Sequence, residues 1–325
     1  MPERGPSWSL RATSSASRTP RARRALRAAR ARRTARTGLV LVAAAALGAG
    51  CAQGGDPPGV RGAAGQQPLQ APPARALDSY ASKLRAAQTA RAAAARRWKL
   101  AAVPLAAPPP PAEKPRITAR EGFEVDGQEE LPPVFTTVPT EEKVVFLTID
   151  DGAEKDPAFL RMMSELKVPY TVFLTDKEIK DDYGYFTGMR DAGVTLNNHT
   201  LTHPYLPALS YAEQRREICG MQDVIEKRYG TRPALFRPPY GNYNRDTLRA
   251  ARSCGIRYAP IWNEEVYVDH WEYREWDQDL HPGDIVLTHF RGRGDWDGTM
   301  TDLARRFLDR VTAEGYAVAR LEDYL

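Results

Sequence analysis

The sequence predicts an α/β protein in which parallel strands alternate with helices to build a sheet or barrel. Three observations carry that expectation. Residues 144–149 form a continuous apolar run of strand formers that stops at Asp150-Asp151-Gly152, as a strand buried on both faces would. Strand-like and helix-like stretches then alternate to the end of the chain. Finally, Asp150, Asp151, His199, His203, Arg237 and His289 all fall at or just after the C-terminal ends of separate expected strands. Those ends share one face in such a fold, and sites are built there.

The chain opens on a different kind of segment. Its net charge is +5, yet residues 1–50 hold eleven Arg against one Glu, a net of +10, so the remainder carries −5. The basic character therefore belongs to the leader, and a nucleic-acid partner is not expected. An Arg-rich stretch ending at Arg36 precedes an apolar run at 38–47 that is short for a bilayer span, the layout of a secretory signal peptide over 1–50. The run ends in Leu47-Gly48-Ala49-Gly50-Cys51, which resembles a bacterial lipoprotein cleavage site with Cys51 as the lipidated residue. Simple secretion and an uncleaved anchor are the alternatives. The expected location is outside the cell membrane, held there by a lipid or released.

Residues 51–115 are rich in Ala, Pro, Gly and Gln, with four prolines in a row at Pro108 to Pro111, and read as a semi-rigid, disordered tether. Within it an Ala-rich stretch from Ala76 to Leu100 reads as one marginal helix. A polar lead-in at 116–139 comes before a domain at 140–325. Cys219 and Cys254 are the only thiols downstream of Cys51. Buried free thiols are the default expectation and pairing the alternative.

The elements of the domain follow in order. After the 144–149 strand, Asp156-Pro157 is an N-cap with proline at the first helical position, opening a helix to about Leu166. Tyr170 to Leu174 reads as a strand, and a polar helix follows to Asp191, stopped by Gly193. A short strand from Val194 leads into His199-Thr200-Leu201-Thr202-His203-Pro204. Ser210 and Glu213 make a capping box for a long helix ending at Gly230. Ala234-Leu235-Phe236 reads as a strand entering Arg237-Pro238-Pro239-Tyr240-Gly241. Asn244 caps a helix to Gly255, a strand at 257–262 reaches Asn263-Glu264-Glu265, and a buried strand ends at His289. A helix at about 299–314 and a strand at 316–321 close the chain.

Side chains alternate along a strand, so Asp150 and Asp151 are expected to point different ways and hold different jobs. One could grip a metal while the other removes a proton from the bound water. His199 and His203, at i and i+4, fall on one face if the segment is a helical turn, close enough to share a cation. Arg237 at a strand end is costly to bury unless paired with an acid such as Asp150. Taken singly, each stretch has a plain alternative as a polar turn, a structural histidine or a Pro-Gly turn.

Together these stretches resemble the polysaccharide deacetylase (NodB-homology) family, also called carbohydrate esterase family four, over residues 141–325. Thr148-Ile149-Asp150-Asp151-Gly152 is similar to the family's Thr-Phe-Asp-Asp-Gly, and the His199 to Pro204 stretch to its His-Thr/Ser-x-x-His. Arg237-Pro238-Pro239-Tyr240 resembles the third motif and Leu287-Thr288-His289 the fifth. The resemblance implies a distorted (β/α)₇ barrel holding one divalent metal, commonly zinc, with cobalt or another divalent ion as alternatives. Asp151, His199 and His203 would be its ligands. Asp150 would be the general base, His289 the general acid, and Arg237 would keep Asp150 ionised and oriented. The Tyr240 backbone N–H, with the metal, would stabilise the oxyanion.

The family's fourth motif, Asp-x-x-Asp-Trp, is not clean here, and Glu264, Glu265 and Asp269 compete for its place. The fifth carries Thr288 where a larger apolar residue often lines the acetyl pocket. The implied activity is removal of acetyl groups from N-acetylated sugars of an extracellular polysaccharide, with peptidoglycan ahead of chitin-like chains. An O-acetyl xylan esterase and a non-catalytic glycan-binding protein are the alternatives. The expected partners are the acetylated glycan and, through Cys51, the membrane; a monomer is expected.

Overall fold

The computed structural model describes residues 74–325. The expected signal segment and the lipidation site at Cys51 lie outside the described residues. Among those described, no helix is long and apolar enough to cross a membrane.

The first element is α1 (Ala74–Arg97), at 24 residues longer than a marginal helix. An isolated Ala-rich helix holds weakly in water, and docking stabilises this one. Ala94 and Ala95 are buried, the Arg91 guanidinium donates to the carbonyls of Leu166 and Pro104, and the Trp98 indole N–H donates to Glu165. Part of the Ala/Pro-rich stretch is thus packed structure. The lead-in supplies β1 (Val134–Phe135), which pairs in parallel with β5 (Ala259–Pro260).

The centre is β2 (Val144–Asp151), whose eight residues are all buried. Its alternation feeds two cores: Val145, Leu147 and Ile149 pack with Phe159, Met162 and Phe307 beneath the helices, while Val144 and Phe146 pack with Phe135, Phe173, Ile285 and Tyr324 inside the ring of strands. Asp156 accepts from the Ala158 N–H to cap α2 (Pro157–Leu166), and β3 (Thr171–Leu174) follows. The polar helix expected next is two pieces, α3 (Asp176–Ile179) and α4 (Tyr183–Asp191), because Asp182 starts a new cap. Then come β4 (Thr195–Asn198), the capping-box helix α5 (Tyr211–Tyr229) and α6 (Arg245–Ser253), the last capped reciprocally by Asn244 and Thr247. After β5 the chain forms β6 (Glu264–Val266), β7 (Trp271–Tyr273), β8 (Ile285–His289), α7 (Met300–Ala313) and β9 (Ala317–Val318).

The main sheet runs β4-β3-β2-β8-β6-β7, with β9 also pairing β2. All its pairings are parallel except the β6–β7 ribbon, which the sequence did not announce. Single parallel bridges Asn198–Phe236 and Leu235–Tyr258 carry the ladder from β4 towards β5, so the strands curl round the inner core as a distorted barrel. The strand expected at Ala234 to Phe236 is reduced to those bridges, since Pro233 and Pro238 flank it and lack the N–H a ladder needs. The closing strand is likewise two residues, followed by a 3₁₀ turn at Leu321–Tyr324.

Cys219 on α5 and Cys254 at the end of α6 are joined in a disulfide, not left as free thiols. The two helices pack face to face, which brings residues 35 apart in sequence within bonding reach.

Candidate active site and metal centre

The sheet register places Asp150 opposite Phe173 on β3 and His289 on β8, so β2 delivers its acids between two neighbours. Gly152 then turns the chain with φ +99°, and any Cβ there would sit 2.5 Å from Ile179, so only glycine fits. Asp151 itself has φ 74°, a left-handed conformation that interrupts strand alternation. The two acids therefore do not point to opposite faces as expected. Asp150 Oδ2 lies 3.7 Å and Asp151 Oδ1 3.6 Å from the same atom, Nε2 of His199.

His199 and His203 meet without a helix. Left-handed Thr200 (φ 73°) and His203 (φ 60°) fold the segment into an irregular turn, held where Thr200 N–H donates to the Asn198 side chain and His203 N–H to the Thr200 hydroxyl. Asn198 is itself anchored to Gln222 and the Ile218 carbonyl on α5. The imidazoles end 4.9 Å apart.

Asp151, His199 and His203 offer ligand atoms that all lie within 4.8 Å of one another. From Asp151 Oδ1 the His203 and His199 Nε2 atoms are 3.4 and 3.6 Å away, near the edge of about 3.3 Å expected between ligands in a tetrahedron of zinc-length bonds. Asp151 Oδ1 is buried with no hydrogen-bond partner, an orphan that a cation would satisfy. His199 Nδ1 lies 2.7 Å from the Arg237 carbonyl; donating there leaves the Nε2 lone pair free for a metal. Burial pulls both histidines down to about 4, so they are neutral, as ligands must be. The donor set fits one divalent cation.

Beside it, Arg237 is fully buried and well used. It donates to Asp150 Oδ1 at 2.8 Å, to the Thr148 hydroxyl at 2.9 Å and to the Pro260 carbonyl at 3.0 Å, and its guanidinium lies 4.3 Å from the Phe173 ring centre. Asp150 is thus oriented, with Oδ1 on Arg237 and Oδ2 towards the cation site. Burial pushes the Asp150 carboxyl up to about 6 against the lowering pull of Arg237, which leaves it mostly ionised at neutral pH.

His289, 26% exposed, has its Nδ1 3.1 Å from Glu265 Oε1. Burial acts to lower its pKa, but the hydrogen bond and charge of Glu265, with Asp151 and Asp150 nearby, prevail and raise it. Of the three acids competing for the fourth motif, Glu265 is the one that reaches His289. Asp269 is on the surface with His270, 2.7 Å away. Glu264 is buried on the other side of β6, where burial and Asp284 push it up to about 10 and leave it neutral.

The profile of the family described as polysaccharide deacetylase matches residues 137–259. An uncharacterized protein of Streptomyces coelicolor is 42% identical over 220 residues, covering 66% of this chain and 86% of its own. The chain belongs to the polysaccharide deacetylase family, carbohydrate esterase family four. The peptidoglycan-N-acetylmuramic acid deacetylase PdaC of Bacillus subtilis is 31% identical over 205 residues, 59% of this chain and 41% of PdaC. The solved structure of the Bc1960 peptidoglycan N-acetylglucosamine deacetylase superposes with a TM-score of 0.51 at 21% identity, covering 59% of this chain and 92% of that one, and shares the fold.

Two further features of this deacetylase are not legible in its motifs, one a backbone conformation within them and the other a residue beyond them. Of seven non-glycine residues with positive φ among those described, four are Asp151, Thr200, His203 and Tyr240. Such conformations cost of order 1–3 kcal/mol each and gather where function requires a particular geometry. Tyr240 is 59% exposed, with its ring 4.6 Å from that of His203. The second feature is Arg291, whose Nη2 donates to Asp151 Oδ2 at 2.6 Å. It lies two residues past His289, outside the fifth motif, and only a cation just beyond the strand end hinted at it. Thr288, by contrast, does not line the site. It is fully buried, donates to the Val266 carbonyl, and by strand alternation faces away from the His289 side.

Proposed function

We propose that this deacetylase hydrolyses the N-acetyl groups of sugars in an envelope polysaccharide, peptidoglycan ahead of chitin-like chains, using a divalent cation, zinc foremost, held by Asp151, His199 and His203. The division of the Asp150 carboxylate carries this reading: one oxygen is clamped by Arg237 while the other faces His199 Nε2 at the cation site. When bound, the cation would polarise the acetyl carbonyl and activate water. Asp150 takes the proton of the attacking water. The Tyr240 backbone N–H helps hold the oxyanion, and His289 gives its proton to the sugar nitrogen as the C–N bond breaks, releasing acetate and an amine.

A proton donor at the leaving group suits an amide substrate, because an amine leaves only when protonated and an alcohol needs less help; His289, held by Glu265 at 3.1 Å, supports that reading. PdaC, named for peptidoglycan N-acetylmuramic acid, supports the cell-wall substrate. The disulfide supports export to an oxidising compartment, and the sequence around Cys51 supports a lipid anchor there. Cys51→Ala, followed by cell fractionation, tests the anchor: a variant that stays with the membrane removes it.

Acetate release from purified peptidoglycan, chitooligosaccharide and acetylxylan, with and without zinc, tests the activity. Peptidoglycan is expected to give the fastest release, while a dominant acetylxylan rate would favour the esterase and none on any substrate the binding protein. Asp150→Asn and His289→Ala should each lower the rate by about 10²–10⁴. Release that survives both would remove the assigned roles.

A further inference from the structure

We propose that Arg291 is a positioning residue for the cation site: by holding Oδ2 of Asp151 it makes that carboxylate present a single oxygen, Oδ1, to the cation. The inference rests on reading Asp151, His199 and His203 as the ligands. The two oxygens of Asp151 have sharply different surroundings. Oδ2 accepts a short charge-assisted bond from Arg291, whereas Oδ1 is buried, has no hydrogen-bond partner and faces both Nε2 atoms.

The placement of Arg291 is set by backbone as well as by side-chain attraction. Phe290, fully buried, donates its N–H to the Asp150 carbonyl at 3.1 Å, and its own carbonyl accepts from the Glu154 N–H at 3.1 Å. The exits of β2 and β8 are thereby strapped together on both sides of Phe290. Arg291 is the next residue, its N–H bonded to the His289 carbonyl at 3.0 Å, so its side chain starts beside Asp151. With 30% of that side chain exposed, it is screened from water without being sealed in.

A carboxylate free to rotate can bind a cation through one oxygen or both. One whose Oδ2 is held by Arg291 is biased to offer Oδ1, which would favour one-oxygen binding and leave room for water and substrate. Hydrogen-bond partners of metal ligands commonly contribute ~10–100-fold to metal affinity through such orientation. The competing possibility is that Arg291 is a rival for Asp151 that a cation must displace. The two have opposite signs, because removing an orienting group weakens binding and removing a rival strengthens it.

The test is zinc affinity, read by competition with a chromophoric chelator, for the wild type, Arg291→Ala and Arg291→Lys, with visible absorption of the cobalt-loaded forms. Arg291→Ala is expected to bind zinc ~10–100-fold more weakly, with Lys, a single point donor, recovering part of the loss. The alanine variant's cobalt bands should weaken as the second carboxylate oxygen enters. Unchanged or tighter zinc binding by Arg291→Ala overturns the proposal. If that variant fails to fold, Arg291→Gln, which keeps a neutral donor, is expected to bind more weakly than wild type, and equal or tighter binding there counts against the proposal. Failure of the underlying site is seen separately, as a wild type whose zinc affinity is indifferent to His203→Ala.

Discussion

Glu265 Oε1 and His289 Nδ1 are 3.1 Å apart, an acid and an imidazole brought together from β6 and β8. Burial opposes the protonated imidazole, yet the pair keeps the pKa of His289 above its ordinary value. As the proposed general acid, His289 works only while protonated, so the alkaline side of the activity profile is expected to fall as pH rises through its pKa, while protonation of Asp150 sets the acid side. Glu265→Gln keeps the shape and removes the charge. The alkaline limb of kcat/KM is expected to move to lower pH, with a loss on the order of tenfold on the alkaline side. An unmoved limb in the glutamine variant would show that Glu265 does not tune His289.

Among the described residues Arg237 is the largest fully buried side chain, and Asp150 is the one acid within salt-bridge reach of its charge. Removing one member of a buried pair strands the other, at about 3–5 kcal/mol. Arg237→Met should therefore lower stability in urea by about that much and drive Asp150 above its present value of about 6. The double variant Arg237→Met, Asp150→Asn is expected to recover part of the loss. A double variant no more stable than the single one contradicts the pairing.

The Cys219–Cys254 bond spans 35 residues, and chain entropy gives a closed loop of that size about 4 kcal/mol. Replacing both cysteines by serine should lower the unfolding free energy by about 2–4 kcal/mol, while a reductant should not further change that variant. The helices it joins lie behind the His199–His203 turn through Asn198 and Gln222. Zinc affinity is therefore expected to fall along with stability, and an unchanged affinity would show that the turn holds without the crosslink.

Zinc in excess should raise the melting temperature of the wild type. At a hundred times the dissociation constant the stabilisation is ~2.7 kcal/mol. A chelator should reverse it, and His199→Ala or Asp151→Ala should abolish it. A zinc shift that persists in both variants would place the cation elsewhere.

Much of this could be read from the chain, for identifiable reasons. The apolar run of β2, the caps at Asp156, Ser210 and Asn244, and the placing of acids and histidines at strand ends are local signals that burial reinforces. What escaped is what local signals do not encode. The convergence of Asp150 and Asp151 on one imidazole depends on positive φ at an aspartate, which alternation rules do not foresee. The approach of His199 to His203 uses an irregular turn where spacing alone suggested a helix. Which of Glu264, Glu265 and Asp269 serves His289 is a matter of β6 register against β8, a long-range fact. Burial outweighing Arg237 at Asp150 depends on how completely the barrel closes over both.

The left-handed residues around the cation site also bear on engineering. Glycine would adopt those angles freely, so Thr200→Gly should relieve local strain. The same freedom would let the imidazole of His203 wander, because the Thr200 hydroxyl now steadying its N–H would be gone. Improving the robustness of this hydrolase is thus best attempted away from the strand exits, where extra comfort in the backbone costs no accuracy in the chemistry.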